Sequence, residues 1–255
     1  MLLNSIRHFN PIVLCVTNPV SANFQADGLL AIGASPLMSE AQEELEEVVS
    51  KVQAVSLNLG TVNASSLALM LTAGQAANRF DIPVLLDPVG VGFTQYRLES
   101  ARFLLREIRV QAIRCNQGEL AALAGIPWQA QGVDSGRGEV TRIKGAVQEF
   151  ARQQQCLVAV TGREDILASG DEVALILGGT PLTTQVTASG CLLSSLGAAA
   201  LSLSTHKPFE ALRELLQTYK ECACLAEAKH SQPAAFKVAL LDQLHQHSQQ
   251  KGDFS

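Results

Sequence analysis

The feature that most constrains this chain is a repeated pairing: a short, continuously apolar run followed by a longer stretch with helical spacing. The runs at 11–16, 54–60, 82–90, 111–116 and 156–162 read as strands. They lack the polar alternation of a half-exposed strand, so both of their faces must be covered. Strands of that kind, alternating with helices, predict an α/β fold with a parallel sheet layered between helices.

Helices are expected over 20–34, 39–52, 63–80, 97–108, 117–125 and 141–155, with a brief extended piece at 35–38. Ser39 and Gln42 have the spacing of a capping box, and acids fill the turns after them. Asn63 reads as an N-cap. The glycine-bearing, aperiodic stretch 126–140 reads as the longest loop. Residues 164–177 read as a hairpin around Ser169, Gly170 and Asp171, and the chain from Gly190 to about Gln246 is mostly helical. No linker-like shift or internal repeat breaks this pattern, so residues 1–255 are read as one domain.

Composition excludes several classes of function. A 47% hydrophobic and 17% charged chain suits a compact protein rather than a disordered one. With a net charge of −5 and no basic block, nothing attracts a nucleic-acid backbone. No run approaches the roughly 18 apolar residues of a membrane span. Asn4, Arg7, His8 and Asn10 interrupt the N-terminal apolar runs, which makes a poor signal peptide. The six cysteines form no CxxC pair and no ligand-spaced set, and most sit inside apolar runs. That usage fits buried thiols in a reducing compartment, so a cytoplasmic location is expected.

Ligands of parallel sheets bind at the carboxyl ends of the strands, and four such places carry unusual chemistry. Asp87 ends an apolar run before Pro88; it is either a turn residue or a carboxylate suited to hydrated Mg²⁺. Arg114 ends another run, with Glu119 one turn into the next helix; it either pairs with a local acid or neutralises a polyphosphate. Thr161 and Gly162 end a third. The fourth is "LTTQVTASGCLLSSLGAAALSLS", 182–204, whose small residues suit close helix packing. They equally suit an anion-binding helix N-terminus at Ala188, Ser189 and Gly190, where the dipole would lower the pKa of Cys191. One ligand would join all four places if it were a phosphoryl donor. GxxxxGK[ST] and GxGxxG are both missing from the sequence.

Seven segments in order carry a resemblance: "CVTNPVSANFQADGLLAIGASPLM", "LNLGT", "IPVLLDPVGVG", "AIRCNQGELAALAG", "GVDS", "VAVTG" and "VTASGC". Together they resemble the hydroxyethylthiazole kinases of the ribokinase-like superfamily, over nearly the whole chain. The resemblance implies a three-layer α/β/α fold with a mostly parallel central sheet. It also implies a homotrimer with active sites between subunits. The implied reaction is phosphorylation of the hydroxyl of 4-methyl-5-(2-hydroxyethyl)thiazole by ATP with Mg²⁺, a step of thiamine salvage.

Carried over position by position, Arg114 and Thr161 match nucleotide-binding residues, and Asp87 and Glu119 match the acids near metal and phosphates. Met38 matches a thiazole contact, Asn18 a position near the substrate pocket, and Ala188 a substrate-side position of the anion loop Ala188-Ser189-Gly190. Cys191 stands where the substrate hydroxyl must lose its proton. The chain departs from the family in several places. Ala188 replaces a glycine, at a cost of about 1–2 kcal/mol if its φ is positive. Cys115 replaces another glycine, Arg163 an acid, Gln185 a lysine, and 231–236 a glycine-rich segment. These changes keep two alternatives open: a kinase for another small alcohol, or a catalytically impaired thiazole-binding relative. Cys222 and Cys224 are read as helix packing rather than a reactive pair.

Overall fold

A computed structural model describes residues 2–126, 137–204 and 206–249. In chain order, α1 (Leu2–Phe9), β1 (Ile12–Val16), α2 (Ala22–Ala31) and β2 (Ser35–Leu37) come first. They are followed by α3 (Leu45–Val49), β3 (Ala54–Asn58), α4 (Ala64–Arg79), β4 (Val84–Asp87) and α5 (Gln95–Glu107). Next are β5 (Ala112–Asn116), α6 (Gln117–Ala124), α7 (Arg137–Gln154), β6 (Leu157–Thr161), β7 (Asp165–Ala168) and β8 (Val173–Ile176). After a 3₁₀ turn at Pro181–Gln185, α8 (Ser189–Ser202), α9 (Pro208–Lys229) and α10 (Pro233–Gln249) complete the chain.

One eight-stranded sheet runs β2-β1-β3-β4-β5-β6-β7-β8. Its first six strands are parallel, and β7 and β8 add an antiparallel hairpin at one edge. Ser169 closes that hairpin by accepting the N–H groups of Asp171 and Glu172 on its hydroxyl.

Successive strand residues point to opposite faces, and each face has its own core. Val13, Cys15, Ala54, Leu85 and Ala112 pack with α1, α2, α8, α9 and α10. Leu14, Val16, Val55, Leu57 and Leu86 pack with α3 to α7. The expected α/β/α layering is therefore present. Helix α8 approaches the sheet closely because its residues are small. A Cβ on Gly197 would come within 2.7 Å of Leu85, and one on Gly28 of α2 within 2.1 Å of Leu192. The packing reading of 182–204 holds for residues 192–201, which are buried, whereas residues 188–191 at the start of α8 are only half-buried.

From β1 the chain steps to β2 on one side, then places β3 on the other. Strand order therefore reverses between β1 and β3, the place where ligands of such sheets bind at the carboxyl edge.

Several local expectations need correction. The helix predicted over 39–52 forms only at Leu45–Val49, because only those two apolar ends are buried while residues 41–44 are exposed. No capping box forms at Ser39. Its hydroxyl donates to Glu44 and accepts from the Ala41 N–H, while Gln42 reaches Thr72. Helix α7 starts at Arg137, inside the predicted loop 126–140; residues 127–136 of that loop lie outside the described residues. The sequence reading missed α1, which buries Leu2, Leu3 and Ile6 along one face. Asn63 does cap α4, in a capping box with Ser66.

Candidate active site

Asp87, the last residue of β4, is fully buried. Its Oδ2 accepts from the Ser194 hydroxyl at 2.7 Å and the Asn58 amide at 3.1 Å, and Arg114 Nη1 stands 3.9 Å away. Its Oδ1 is buried with no partner. Burial pushes this carboxyl up to about 6, against the pull of Arg114 and the two hydrogen bonds, and with Glu119's charge adding to the rise.

Arg114 reaches from β5 between two partners. One guanidinium nitrogen faces Asp87, and Nη2 donates to Thr161 Oγ1 at 2.5 Å. Thr161 in turn donates to the Cys115 carbonyl at 3.3 Å. Arg114 Nε is buried without a partner. The guanidinium also runs against the first turn of α8, where a Cβ at Gly190 would lie 2.5 Å from Nη1. Only glycine lets cation and helix end approach so closely.

Ala188 is the N-cap of α8, with φ 68° and ψ 12°. The left-handed conformation considered for this residue is therefore adopted, and the residue bears a Cβ there. Ala188 offers no side-chain acceptor, so no side chain caps the first turn of α8. The loop is pinned from outside. Ser189 Oγ donates to the Thr183 carbonyl at 2.6 Å, and Tyr219 OH donates to the Ser189 carbonyl at 2.9 Å.

Cys191 overturns the expected lowering of its pKa. Burial, followed by the Asp87 charge, pushes the thiol up to about 11, although hydrogen bonds from Asn58 and Ser21 and the Arg114 charge pull it down. The helix end and Arg114 both favour thiolate, but neither matches the cost of burying the charge. Here desolvation wins.

Glu119 is held as a capping box: its Oε2 accepts the Asn116 N–H at 2.8 Å, while Asn116 Oδ1 accepts the Glu119 N–H at 2.9 Å. Its Oε1 accepts the Gly90 N–H at 2.8 Å, which fixes the loop after β4. Asn18 donates to Asn58 Oδ1 at 2.9 Å and accepts the N–H groups of Val20 and Ser21, so it shapes the turn entering α2. Met38 lies just past β2 at the same carboxyl edge, half-buried against the first core.

A cavity of about 920 Å³ opens beside the loop before α8, lined by Arg114, Thr161, Gly162, Ser189, Gly190 and Lys220 among others. Asp87, Glu119, Cys191, Asn18 and Met38 do not line it. Of the sequence-derived residues, Arg114, Thr161, Ser189 and Gly190 therefore line the large cavity, and Asp87 adjoins it through Arg114.

The departures also find their places. Cys115 is buried in the second core, and Arg163 lines the cavity. Gln185 is exposed at the end of the 3₁₀ turn. Within 231–236, Pro233 opens α10 and Phe236 is fully buried. Cys222 is buried and Cys224 exposed, both as free thiols, so packing describes Cys222.

Sequence reasoning missed Asn58, Ser194 and Lys220. Asn58 joins Asn18, Asp87, Cys191 and the Gly60 N–H; its only sequence signal was an amide inside the apolar run "SLNLG". Among the described residues no cluster of three or more His, Cys, Asp or Glu could hold a metal, and no helix is long and apolar enough to cross a membrane.

Residues 3–250 match the hydroxyethylthiazole kinase family. A hydroxyethylthiazole kinase of Lysinibacillus sphaericus is 44% identical over 250 residues, covering 98% of this chain and 97% of that protein. One from Haemophilus influenzae is 46% identical over 243 residues, covering 95% and 91%. Among solved structures, the hydroxyethylthiazole kinase protein of Pyrococcus horikoshii superposes with a TM-score of 0.87 at 33% identity, covering 96% of this chain and 91% of that one. A ribokinase-like superfamily protein of Enterococcus faecalis shares the fold at 12% identity, with a TM-score of 0.67 and coverage of 98% and 95%.

Proposed function

The chain belongs to the hydroxyethylthiazole kinase family, and we propose that it transfers the terminal phosphoryl group of ATP to the hydroxyl of 4-methyl-5-(2-hydroxyethyl)thiazole. The observation that carries this reading is Arg114, set between Asp87 and Thr161 and laid against the bare Gly190 of a helix N-terminus. A cation clamp and a helix dipole converge on one spot, where charge on a phosphoryl group in flight would be stabilised.

In this reading the nucleotide occupies the large cavity, its phosphates directed to Arg114 and the α8 end. The thiazole lies on the other side, by Cys191, Asn18 and Met38. Mg²⁺ fits the acids present: the partnerless Oδ1 of Asp87 is an oxygen donor already buried, and Glu119 has spare lone pairs. Asp87 and Glu119 would hold it, and when bound it would neutralise phosphate charge. Asp87 and Arg114 orient the transfer, and the helix end receives the negative charge. Cys191, with its thiol up at about 11, holds almost no thiolate at neutral pH, so it positions the hydroxyl more than it takes the proton.

The decisive assay is ATP- and Mg²⁺-dependent phosphorylation of hydroxyethylthiazole by the purified protein. Product at a rate typical of small-molecule kinases supports the reading; no product with an otherwise folded protein refutes it. Cys191→Ala should lower kcat by about tenfold, below the 10²–10⁴ of a full general base. Cys191→Asp, whose carboxyl loses its proton far more readily than a thiol, should retain or raise turnover. An unchanged Cys191→Ala rate would remove this residue from the site.

Ala188→Gly separates strain from chemistry. The loop already holds φ 68° at this residue, so its geometry is formed and the Cβ costs stability rather than rate. The substitution should stabilise the protein by about 1 kcal/mol, raising Tm by about 2–4 °C, with turnover within about twofold. A large gain in rate would instead show that Ala188 impairs the anion site.

The reading also includes a homotrimer with sites between subunits. Val20, in the turn after β1, and Leu37, at the end of β2, support it by leaving apolar surface exposed at the carboxyl edge of the sheet. Sedimentation should give three times the chain mass.

A further inference from the structure

Lys220 projects from α9 and is only 7% exposed. Its ammonium stands 3.1 Å from Asp165 Oδ1 and donates to the carbonyl oxygens of Gly178 at 3.0 Å, Arg163 at 3.3 Å and Gly162 at 3.4 Å. These oxygens come from two separate walls of the 920 Å³ cavity: the turn between β6 and β7 with the start of β7, and the exit from β8. The first wall is itself closed by Asp165 Oδ1, which accepts the Gly162 N–H at 3.0 Å. It carries Thr161, the partner of Arg114. The second wall is Gly178 and Gly179, at φ 93° and 84°, where a Cβ on Gly179 would lie 3.2 Å from the Lys220 side chain.

A buried ammonium is unfavourable unless its donors are satisfied, and these oxygens satisfy them all. None is left for a ligand. A compact cation with freely turning donors suits this cage of scattered carbonyls, which a planar guanidinium does not match.

We infer that Lys220 is a positioning residue for the nucleotide: its ammonium ties the two walls of the cavity together and holds Thr161, and through it Arg114, in register. This rests on the proposed function in one respect, that the cavity takes the nucleotide.

The test is direct binding of ATP and ADP by calorimetry, with thiazole binding measured in parallel. Lys220→Ala should weaken nucleotide binding at least tenfold and leave thiazole affinity within about twofold. Ammonium chloride should restore nucleotide affinity in this variant by re-entering the vacated cage, whereas tetramethylammonium chloride at equal ionic strength should not. Lys220→Met, which keeps the stem and fills the space, should lose the same affinity and not respond to ammonium. Unaltered nucleotide affinity in either variant, or a folded Lys220→Ala protein deaf to ammonium, overturns the inference. If Lys220→Ala does not melt cooperatively, Lys220→Met/Asp165→Asn, which leaves no stranded carboxylate, decides: tenfold weaker nucleotide binding supports the clamp and unchanged binding overturns it. Wild-type protein that binds no ATP overturns the proposed function as well, which distinguishes the two failures.

Discussion

Asp87→Asn should lower kcat by about a thousandfold and, at the same time, make the protein more stable at pH 7.5. Both effects follow from a charge kept where water cannot reach it. The carboxylate gives the site its negative pole opposite Arg114 and an oxygen free for a cation, and losing one preorganised electrostatic partner typically costs 10²–10³ in rate. The stability effect has the opposite sign. The folded-state pKa of about 6 lies above the ordinary 3.8, so the folded protein binds this proton more tightly than the unfolded chain does. Ionised Asp87 therefore costs stability above pH 6, and protonation relieves that cost as the pH falls towards 4.

About two pH units correspond to about 3 kcal/mol at most. The amide keeps acceptors for Ser194 and Asn58 but leaves Arg114 without its counter-charge, so a gain of about 1–2 kcal/mol is expected at pH 7.5. That gain should shrink as pH drops through 6. Thermal melts of both proteins between pH 4.5 and 8 check the sign. A lower Tm for Asp87→Asn at pH 7.5 would show that the carboxylate is held by its partners rather than strained. A kcat within tenfold of wild type would remove Asp87 from the machinery.

The same contrast between local and distant effects explains what the sequence made legible. Parallel strands are buried on both faces, so β1, β3, β4, β5 and β6 appear as apolar runs, and Asp87 and Arg114 stand out because they end such runs. Asn63 was readable because its cap partner is three residues away. Lys220 was not, since its acceptors lie 42 to 58 residues distant and a lysine on a long helix looks like a solvated face. Ser194 was hidden for a similar reason: its partner is 107 residues away, and a serine in a small-residue helix reads as packing. The thiol of Cys191 failed differently. Its helix end is a local feature, whereas the burial that raises it is set by α2, β3 and β4 folding around it. For 39–52, a row of acids promised a helix that too few apolar residues could hold against the core.

Gly190→Ala is the substitution that should dissociate folding from catalysis most cleanly. Within a helix, Ala is preferred to Gly by roughly 0.5–1 kcal/mol, so α8 itself gains. The added Cβ, however, would sit 2.5 Å from Arg114 Nη1, 2.8 Å from Nη2 and 2.9 Å from Cζ. One of the two must move. Helix α8 is buried against the sheet along residues 192–201, whereas the guanidinium is held by one hydrogen bond to Thr161 and a 3.9 Å approach to Asp87. Arg114 therefore yields, leaving the place where the proposed function puts the phosphates. We expect kcat/KM for ATP to fall about a hundredfold with Tm unchanged or raised, in keeping with the cost of misplacing a positioned group by about 1 Å. Arg114→Ala should give a loss of similar size, and the double variant should be no worse than either single one, because both act on the same cation. Additive losses across the cycle would mean that Gly190 acts apart from Arg114. A Gly190→Ala enzyme within threefold of wild type would mean that the guanidinium finds its phosphate from a second position.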